Sequence, residues 1–280
     1  MAFLQGVAIV GHGEAPARAI TGAMLVPAQI EALLMDWRNT ADLPDGRLPD
    51  ELSRPYAKSS GIPQARSAAR ASIYATLAAK ALVEAAGVQD KGSLAVLTVS
   101  NTATLAIACR FERMAHQDGW DMVDPYLLPN SIPSATATHV ARATGAEAFS
   151  ISLIDGARSW QYGLELAIDA VENGVAQVLL IAAEQLDDAG RRAIGPDMRA
   201  AEGAIALLIG SRSLGSRWEL WPACLQPGRF QPAPDQSLQT VFTPVLDFLR
   251  DGADRLGAMA AVSVPVRCDP LGPEFPARRC

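Results

Sequence analysis

One continuous stretch, Phe149 to Glu184, constrains the fold more than any other part of the chain. It begins with a short apolar run containing β-branched residues, which predicts a buried strand. Asp155-Gly156 then interrupts this run with turn-forming residues. From Arg158 onward the apolar residues recur at helical spacing up to an Asn-Gly pair, and a second all-apolar strand follows. A strand, a helix and a parallel strand of this length form a right-handed βαβ unit.

The turn before the predicted helix is the first place to look for a nucleophile, because backbone N–H groups and the helix dipole point there. It contains Ala157 and no cysteine. Ser159 lacks the Gly-x-Ser-x-Gly context of a nucleophile elbow, and no histidine follows it that could activate it. Asp155 could act as an acid or base, but an aspartate before glycine more often forms a turn. Arg158 could bind an anion or a partner's carboxylate, although such an arginine is more often part of a structural salt bridge.

Strands and helices alternate along the rest of the chain, which predicts an α/β layered fold with mostly parallel strands. The predicted strands are Gly6–Val10, Leu94–Ser100, Ile205–Ile209, Arg217–Cys224 and Ala260–Val266. The predicted helices are Met24–Asn39, Arg66–Ala86, Thr102–His116, Ser134–Thr144 and Thr240–Gly257. Residues 40–64, 119–128 and 186–198 are predicted loops or connections.

Composition excludes several classes of protein. The chain is 49% hydrophobic and 19% charged, which is typical of a globular protein with a large core. A net charge of -6 does not indicate a nucleic-acid partner. No apolar run is long enough to span a membrane, and the N-terminus does not look like a secretory signal. The four cysteines form no C-x-x-C pair, which favours free thiols in a reducing cytoplasm and gives no indication of a metal site or another cofactor.

Several short motifs occur in an informative order: Pro129-Asn130-Ser131, then Gly145, then the strand–turn–helix unit with Gly174, then Ala201-Glu202-Gly203-Ala204 before an apolar strand. Their order and spacing resemble those of the β-ketoacyl synthases of the thiolase fold. In that family the catalytic cysteine begins the helix, and a glycine follows seventeen residues later. Counting back from Gly174 places the cysteine's position at Ala157.

The resemblance covers roughly residues 7–210 and implies a thiolase-like layered fold. Residues 1–212 would form the ketosynthase-like N-terminal half. Residues 213–280 would form a reduced C-terminal part with one helix, one or two strands and a loose tail.

Condensing chemistry is missing at two places. A ketosynthase needs a thiolate at the helix N-terminus, and in the family two histidines C-terminal to the cysteine drive decarboxylation. Here the three histidines are His12, His116 and His139, and all precede Ala157. The resemblance therefore implies no catalytic residue. It implies a chain-length factor like those of aryl-polyene and other highly reducing type II polyketide synthases, or of fatty-acid-like systems. Such a subunit belongs to an acyltransferase complex. It forms a heterodimer with an active ketosynthase and meets acyl carrier protein through that partner.

The resemblance also implies two sets of site residues. The strand before the helix would pair with its counterpart in the partner, which places Phe149, Ile151, Leu153 and Arg158 at the dimer interface. The end of the partner's acyl tunnel would be closed by Leu127, Thr102, Leu105, Ile107 and Trp160. Ordinary core packing is the alternative for each gate residue.

Two other functions remain open from the sequence. One is a malonyl decarboxylase or acyl hydrolase that uses the thiolase fold with a different residue. The other is a non-enzymatic homodimer that binds acyl chains or acts as a scaffold.

Overall fold

The computed structural model describes residues 1–11, 16–43, 46–156, 158–194, 201–216, 218–220, 242 and 245–252. Ala157 and His12 lie outside the described residues. So do the predicted strand Ala260–Val266, the predicted tail and most of the predicted strand Arg217–Cys224. The boundary expected between residues 212 and 213 stays a prediction.

The described residues form a sheet of seven strands. The strands are β1 Ala2–Val10, β2 Arg18–Thr21, β3 Leu94–Val99, β4 Ser150–Leu153, β5 Gln177–Glu184, β6 Gly203–Gly210 and β7 Glu219–Leu220. Their order is β2-β1-β6-β5-β3-β4, and β7 pairs with the start of β1. β4 is therefore at one end of the described sheet, with β3 as its neighbour.

The predicted α/β class is confirmed, but the sheet is mixed where we expected mostly parallel strands. β3 pairs in parallel with β4 and β5, whereas β6 is antiparallel to both β5 and β1, and β2 is antiparallel to β1. The register of β5 and β6 shows how the chain returns. Glu184, the last residue of β5, pairs with Gly203, the first residue of β6. The chain therefore re-enters the sheet at the edge where β5 ends, and β6 runs back antiparallel to it.

The helices follow the predicted order, with three additions, at residues 50–60, 127–131 and 188–194. They are α1 Pro27–Ala41, α2 Asp50–Ser60, α3 Arg70–Ala85, α4 Leu105–Gln117, α5 Leu127–Ser131, α6 Ala135–Thr144, α7 Arg158–Glu172 and α8 Asp188–Ile194. Short 3-10 turns occur at Gly22–Met24, Ala65–Ser67 and Trp120–Met122. The expected loop over residues 40–64 is wrong, because it contains α2, and the expected connection over 186–198 contains α8. Residues 245–252 are also helical.

Helices cover both faces of the sheet, and the strands send alternate side chains to each face. Along β3, Leu97 and Val99 pack with α1, α7 and the helical residues 245–252, whereas Leu94 and Val96 pack with α2, α3 and α6. The described residues beyond 212 thus contribute to the core on the α1 and α7 face, where Phe248 lies 6.1 Å from Trp160 between ring centroids.

Candidate functional site

Three parallel strands end at the same edge of the sheet and bring three loops together. β3 leads into residues 100–104, β4 into the turn before α7, and β5 into residues 185–187. The N–H of Ser100 donates to the carbonyl of Leu153 at 3.2 Å, which joins the first two loops. The predicted nucleophile turn therefore lies directly beside the loop that begins α4.

The turn before α7 is closed by its own polar groups. The N–H of Asp155 donates to Ser159 Oγ at 2.5 Å, and Ser159 is fully buried. Gly156 has a φ of +57°, a left-handed conformation that favours glycine. The Ser159 hydroxyl thus holds the turn from within. Arg158 is exposed at the first position of α7.

Glu184, at the carboxyl end of β5, is a fully buried acid that sequence reasoning did not select. Its carboxylate accepts hydrogen bonds from Ser100 Oγ at 3.0 Å and from the N–H groups of Asn101 and Thr102, each at 2.8 Å. The Thr102 hydroxyl also donates to it at 2.5 Å. Burial raises the pKa of Glu184, and the hydrogen bonds from Thr102, Asn101 and Ser100 oppose that rise. The available signal in the sequence is a single acid that directly follows the all-apolar run from Val178 to Ala183.

A second buried acid, Glu202, lies immediately before β6. It accepts hydrogen bonds from the Tyr74 hydroxyl at 2.5 Å and from the N–H of Leu186 at 3.2 Å, and it forms an ion pair with Arg70 at 2.5 Å. Burial raises the pKa of Glu202, and the Arg70 guanidinium opposes the shift. This network connects α3 with the loop before α8, and its paired charges indicate a structural role.

The structure brings two of the five predicted gate residues into one small apolar cluster. Leu127, at the first position of α5, is fully buried and packs with Ile107 of α4 and with Ala69. Thr102 is buried as well, but its hydroxyl is directed at Glu184 and at the carbonyl of Gln185. Leu105 is half-buried at the start of α4.

Trp160 lies apart from that cluster. It is 1% exposed and belongs to the core on the α7 face, where it contacts Phe248. Its assignment to the gate stays a prediction, and its observed surroundings are those of a core residue.

The predicted interface strand β4 presents apolar side chains at the end of the described sheet. Ile151 is 39% exposed and Ile154 is 49% exposed. Phe149 and Leu153 are partly buried and pack against the core of the α7 face.

A second exposed apolar group occupies the segment between α4 and α6. Its large side chains, with relative exposure from 45% to 72%, are Trp120, Met122, Tyr126, Leu128 and Ile132. Hydrogen bonds hold this segment on α6. Asn130 Nδ2 donates to the Tyr126 carbonyl at 2.7 Å, so Asn130 Oδ1 is left as the acceptor for His139 Nε2, 2.6 Å away. Burial, with a smaller contribution from Arg142, lowers the pKa of His139.

Two surface grooves of about 360 and 350 Å³ share the segment Gly87–Gln89. The second includes Gln177, the first residue of β5, so it lies at the opposite edge of the sheet from Glu184. Within the described ranges, no group of three or more His, Cys, Asp or Glu side chains could hold a metal ion. None of the helices in that part of the chain is both long enough and apolar enough to cross a membrane.

Solved structures show where this fold occurs. The structure superimposes on a chain of the ishigamide ketosynthase/chain length factor with a TM-score of 0.54 at 16% identity, covering 75% of this chain and 62% of that one. A type II polyketide synthase acyl-carrier protein in complex with its ketosynthase bound to the hexaketide gives 0.54 at 15% identity, with coverage of 75% and 62%. The ketosynthase ApeO in complex with its chain length factor ApeC, from Xenorhabdus doucetiae, gives 0.50 at 18% identity, with coverage of 75% and 78%.

No family model matches the sequence, and no curated protein matches it. This chain spans less than two thirds of the length of the first two matched chains. At these identities the likeness establishes the architecture and not the activity. The chain has the thiolase-like fold of ketosynthases and chain length factors, as its motifs predict.

Proposed function

We propose that this chain is a non-condensing, ketosynthase-like subunit that pairs with an active ketosynthase in type II polyketide biosynthesis and acts as its chain length factor. The fold supports the general assignment. The observation that carries the proposal is the turn before α7, where the aligned position of the family's cysteine is Ala157. An alanine side chain cannot form a thioester, so condensation must take place on another subunit.

The groups around Ala157 supply no replacement nucleophile among the described residues. The Ser159 hydroxyl is buried and accepts the N–H of Asp155. A serine also needs a base within hydrogen-bond reach to become a nucleophile, and the partner described here for the Ser159 hydroxyl is a backbone N–H. We infer that this turn occupies the place of a ketosynthase's nucleophile turn without its chemistry.

The exposed edge of β4 supports a protein partner. An edge strand offers unpaired N–H and C=O groups, and here Ile151 and Ile154 add apolar surface beside them. α6 packs against β4, and the exposed apolar segment around Trp120 to Ile132 leads directly into α6. We propose that β4, with Phe149, Ile151, Leu153 and Arg158 at or near it, lies against the equivalent strand of an active ketosynthase.

The shared apolar cluster of Ile107 and Leu127 supports a role in limiting product length. Both residues are buried in an apolar cluster that lies beside the loops at the carboxyl edge of the sheet. In the proposed pair this cluster forms the closed end of the partner's acyl tunnel, and Thr102 and Leu105 lie at the start of the helix that carries Ile107. Acyl carrier protein is then met through the partner. We also propose that the product is an aryl polyene or a related highly reduced polyketide and that the protein is cytoplasmic.

Co-purification with a ketosynthase encoded beside this chain tests the pairing. Tagged wild-type chain should retain that ketosynthase, and Ile151→Asp should lose it. A buried unpaired carboxylate costs several kcal/mol, which weakens binding by about 100-fold or more. Met35→Asp is the matched control, because Met35 is a similarly exposed apolar residue (47%) on α1. An intact heterodimer with Ile151→Asp, or no binding by the wild type, would contradict the proposal.

An acylation assay separates this proposal from a decarboxylase or hydrolase. Incubation of the isolated chain with acyl or malonyl carrier protein should leave its intact mass unchanged and release no carbon dioxide. A stoichiometric acyl adduct, or steady malonyl decarboxylation without a partner, would show that the chain has its own chemistry.

A further inference from the structure

The buried carboxylate of Glu184 is held by neutral donors from one short segment. Glu184 is 0% exposed, and its recorded hydrogen bonds come from Ser100, Asn101 and Thr102. A carboxylate only accepts hydrogen bonds, and hydrogen bonds to a charged group are roughly twice as strong as those between neutral groups. The carboxylate therefore restrains the path of residues 100–102 closely.

Further hydrogen bonds connect residues 100–103 with one another and with Gln185, the residue after Glu184. Ser100 Oγ accepts the N–H groups of Thr102 at 3.2 Å and Ala103 at 2.8 Å. The Thr102 hydroxyl lies 2.9 Å from the carbonyl oxygen of Gln185. The N–H groups of residues 101 and 102 thus donate to Glu184 itself. The N–H of residue 103 donates to the Ser100 hydroxyl, which in turn donates to Glu184.

This segment continues without a break into α4. The N–H of Leu105 donates to the Thr102 carbonyl at 3.0 Å, and that of Ala108 donates to the Thr104 carbonyl at 3.0 Å. Ile107 lies in this first turn and packs against Leu127. A continuous set of contacts therefore runs from the Glu184 carboxylate to the Ile107–Leu127 cluster.

We propose that Glu184 is a positioning residue that sets where α4 begins and how far Ile107 reaches towards Leu127. The consequence for product length rests on the proposed function, since it applies only if this cluster closes a partner's tunnel. The substrate class is then a growing acyl chain whose last carbons reach the cluster, and Glu184 determines its maximum length without touching it.

Amide hydrogen exchange on the isolated chain tests the positioning role directly. Glu184→Gln turns an NH₂ group towards donors, and Thr102→Val removes one hydroxyl. Both should speed exchange of the amides of residues 101–103 by about tenfold or more. Thr102→Ser keeps the hydroxyl and should restore protection. Thr76→Val is the matched control, because Thr76 is a buried threonine on α3 whose hydroxyl donates to the Ser72 carbonyl at 2.7 Å.

Product length in the reconstituted pair is the second measurement. Glu184→Gln and Thr102→Val should shift or broaden the product distribution, and Thr76→Val should not. Unchanged exchange at residues 101–103 in Glu184→Gln, or an equal rise throughout the sheet, overturns the positioning role. Faster local exchange with unchanged product length in an intact pair overturns the link to length. If wild-type chain forms no pair, the proposed function fails, and exchange alone decides whether Glu184 positions α4.

Discussion

Leu127 offers the sharpest test of length control, because its side chain is fully buried at the first position of α5. Leu127→Ala removes three carbon atoms from the cluster with Ile107 and opens a cavity there. Truncation of a buried leucine typically costs about 2–5 kcal/mol of unfolding free energy. A site that faces a tunnel made to be filled should lie near the lower end of that range.

The expected effect on product length follows from the same cavity. An acyl chain that extends into it regains about 0.8 kcal/mol per buried methylene. One further two-carbon extension is thus favoured by about 1.6 kcal/mol, or roughly 15-fold. Leu127→Ala should shift products longer, and Leu127→Trp, which fills the space, should shift them shorter.

Mass spectrometry of products from the reconstituted pair measures this shift. Leu82→Ala is the matched control, because Leu82 is an equally buried leucine on α3 whose side chain packs in the α3 core. It should destabilise the chain by a similar amount and leave product length unchanged. Wild-type length in both Leu127 variants, with the complex intact, would refute the reasoning and make Leu127 an ordinary core residue.

Two further predictions concern stability. Gly163→Ala should lower the unfolding free energy by about 1 kcal/mol in urea titration, because the new methyl group would lie 2.8 Å from Leu180 and 2.9 Å from Val99. Overpacking costs about 1–3 kcal/mol, which outweighs the gain in helix propensity of about 1 kcal/mol. A more stable variant would contradict this close packing. Burial lowers the pKa of His139 in the folded chain, so the stability that its neutral form contributes is present above the unfolded imidazole's pKa and is lost as the pH falls through the folded value. Between pH 7 and pH 5, the unfolding free energy of His139→Gln, measured by urea titration, should therefore fall by less than that of the wild type. Equal losses in both proteins would show that protonation of His139 does not destabilise the folded chain.

The strongest patterns in the sequence correspond to elements whose apolar residues face the sheet. The helix predicted from Arg158 to the Asn-Gly pair is α7, Arg158–Glu172, and the predicted strand Leu94–Ser100 is β3. In both, local periodicity and tertiary burial agree. α2 was missed because Pro55 lies inside it and its composition is polar. Contacts from other elements hold it, such as Lys80 Nζ on the Ser59 carbonyl at 2.8 Å.

The candidate site was predictable only where family motifs reach it. The resemblance selected Leu127 and Ile107, and the structure places them in one apolar cluster. Glu184 is visible in the sequence as an acid that ends an apolar run, but its role is not, because its partners lie 82 to 84 residues away in the sequence. A hydrogen-bonded loop of this kind depends on which strands become neighbours, and short-range patterns do not contain that information. The antiparallel direction of β6 was missed for the same reason.

The place of β4 at the end of the described sheet also has a consequence for how the protein must be produced. Among the described strands, none pairs with the outer edge of β4, so in a chain made alone this apolar edge can template aggregation with other copies. Ile151 and Ile154 flank that edge, and no lysine or proline within β4 guards it. Balanced synthesis with a partner would shorten the time for which this edge is exposed, so heterologous expression of the single chain should yield inclusion bodies far more readily than co-expression.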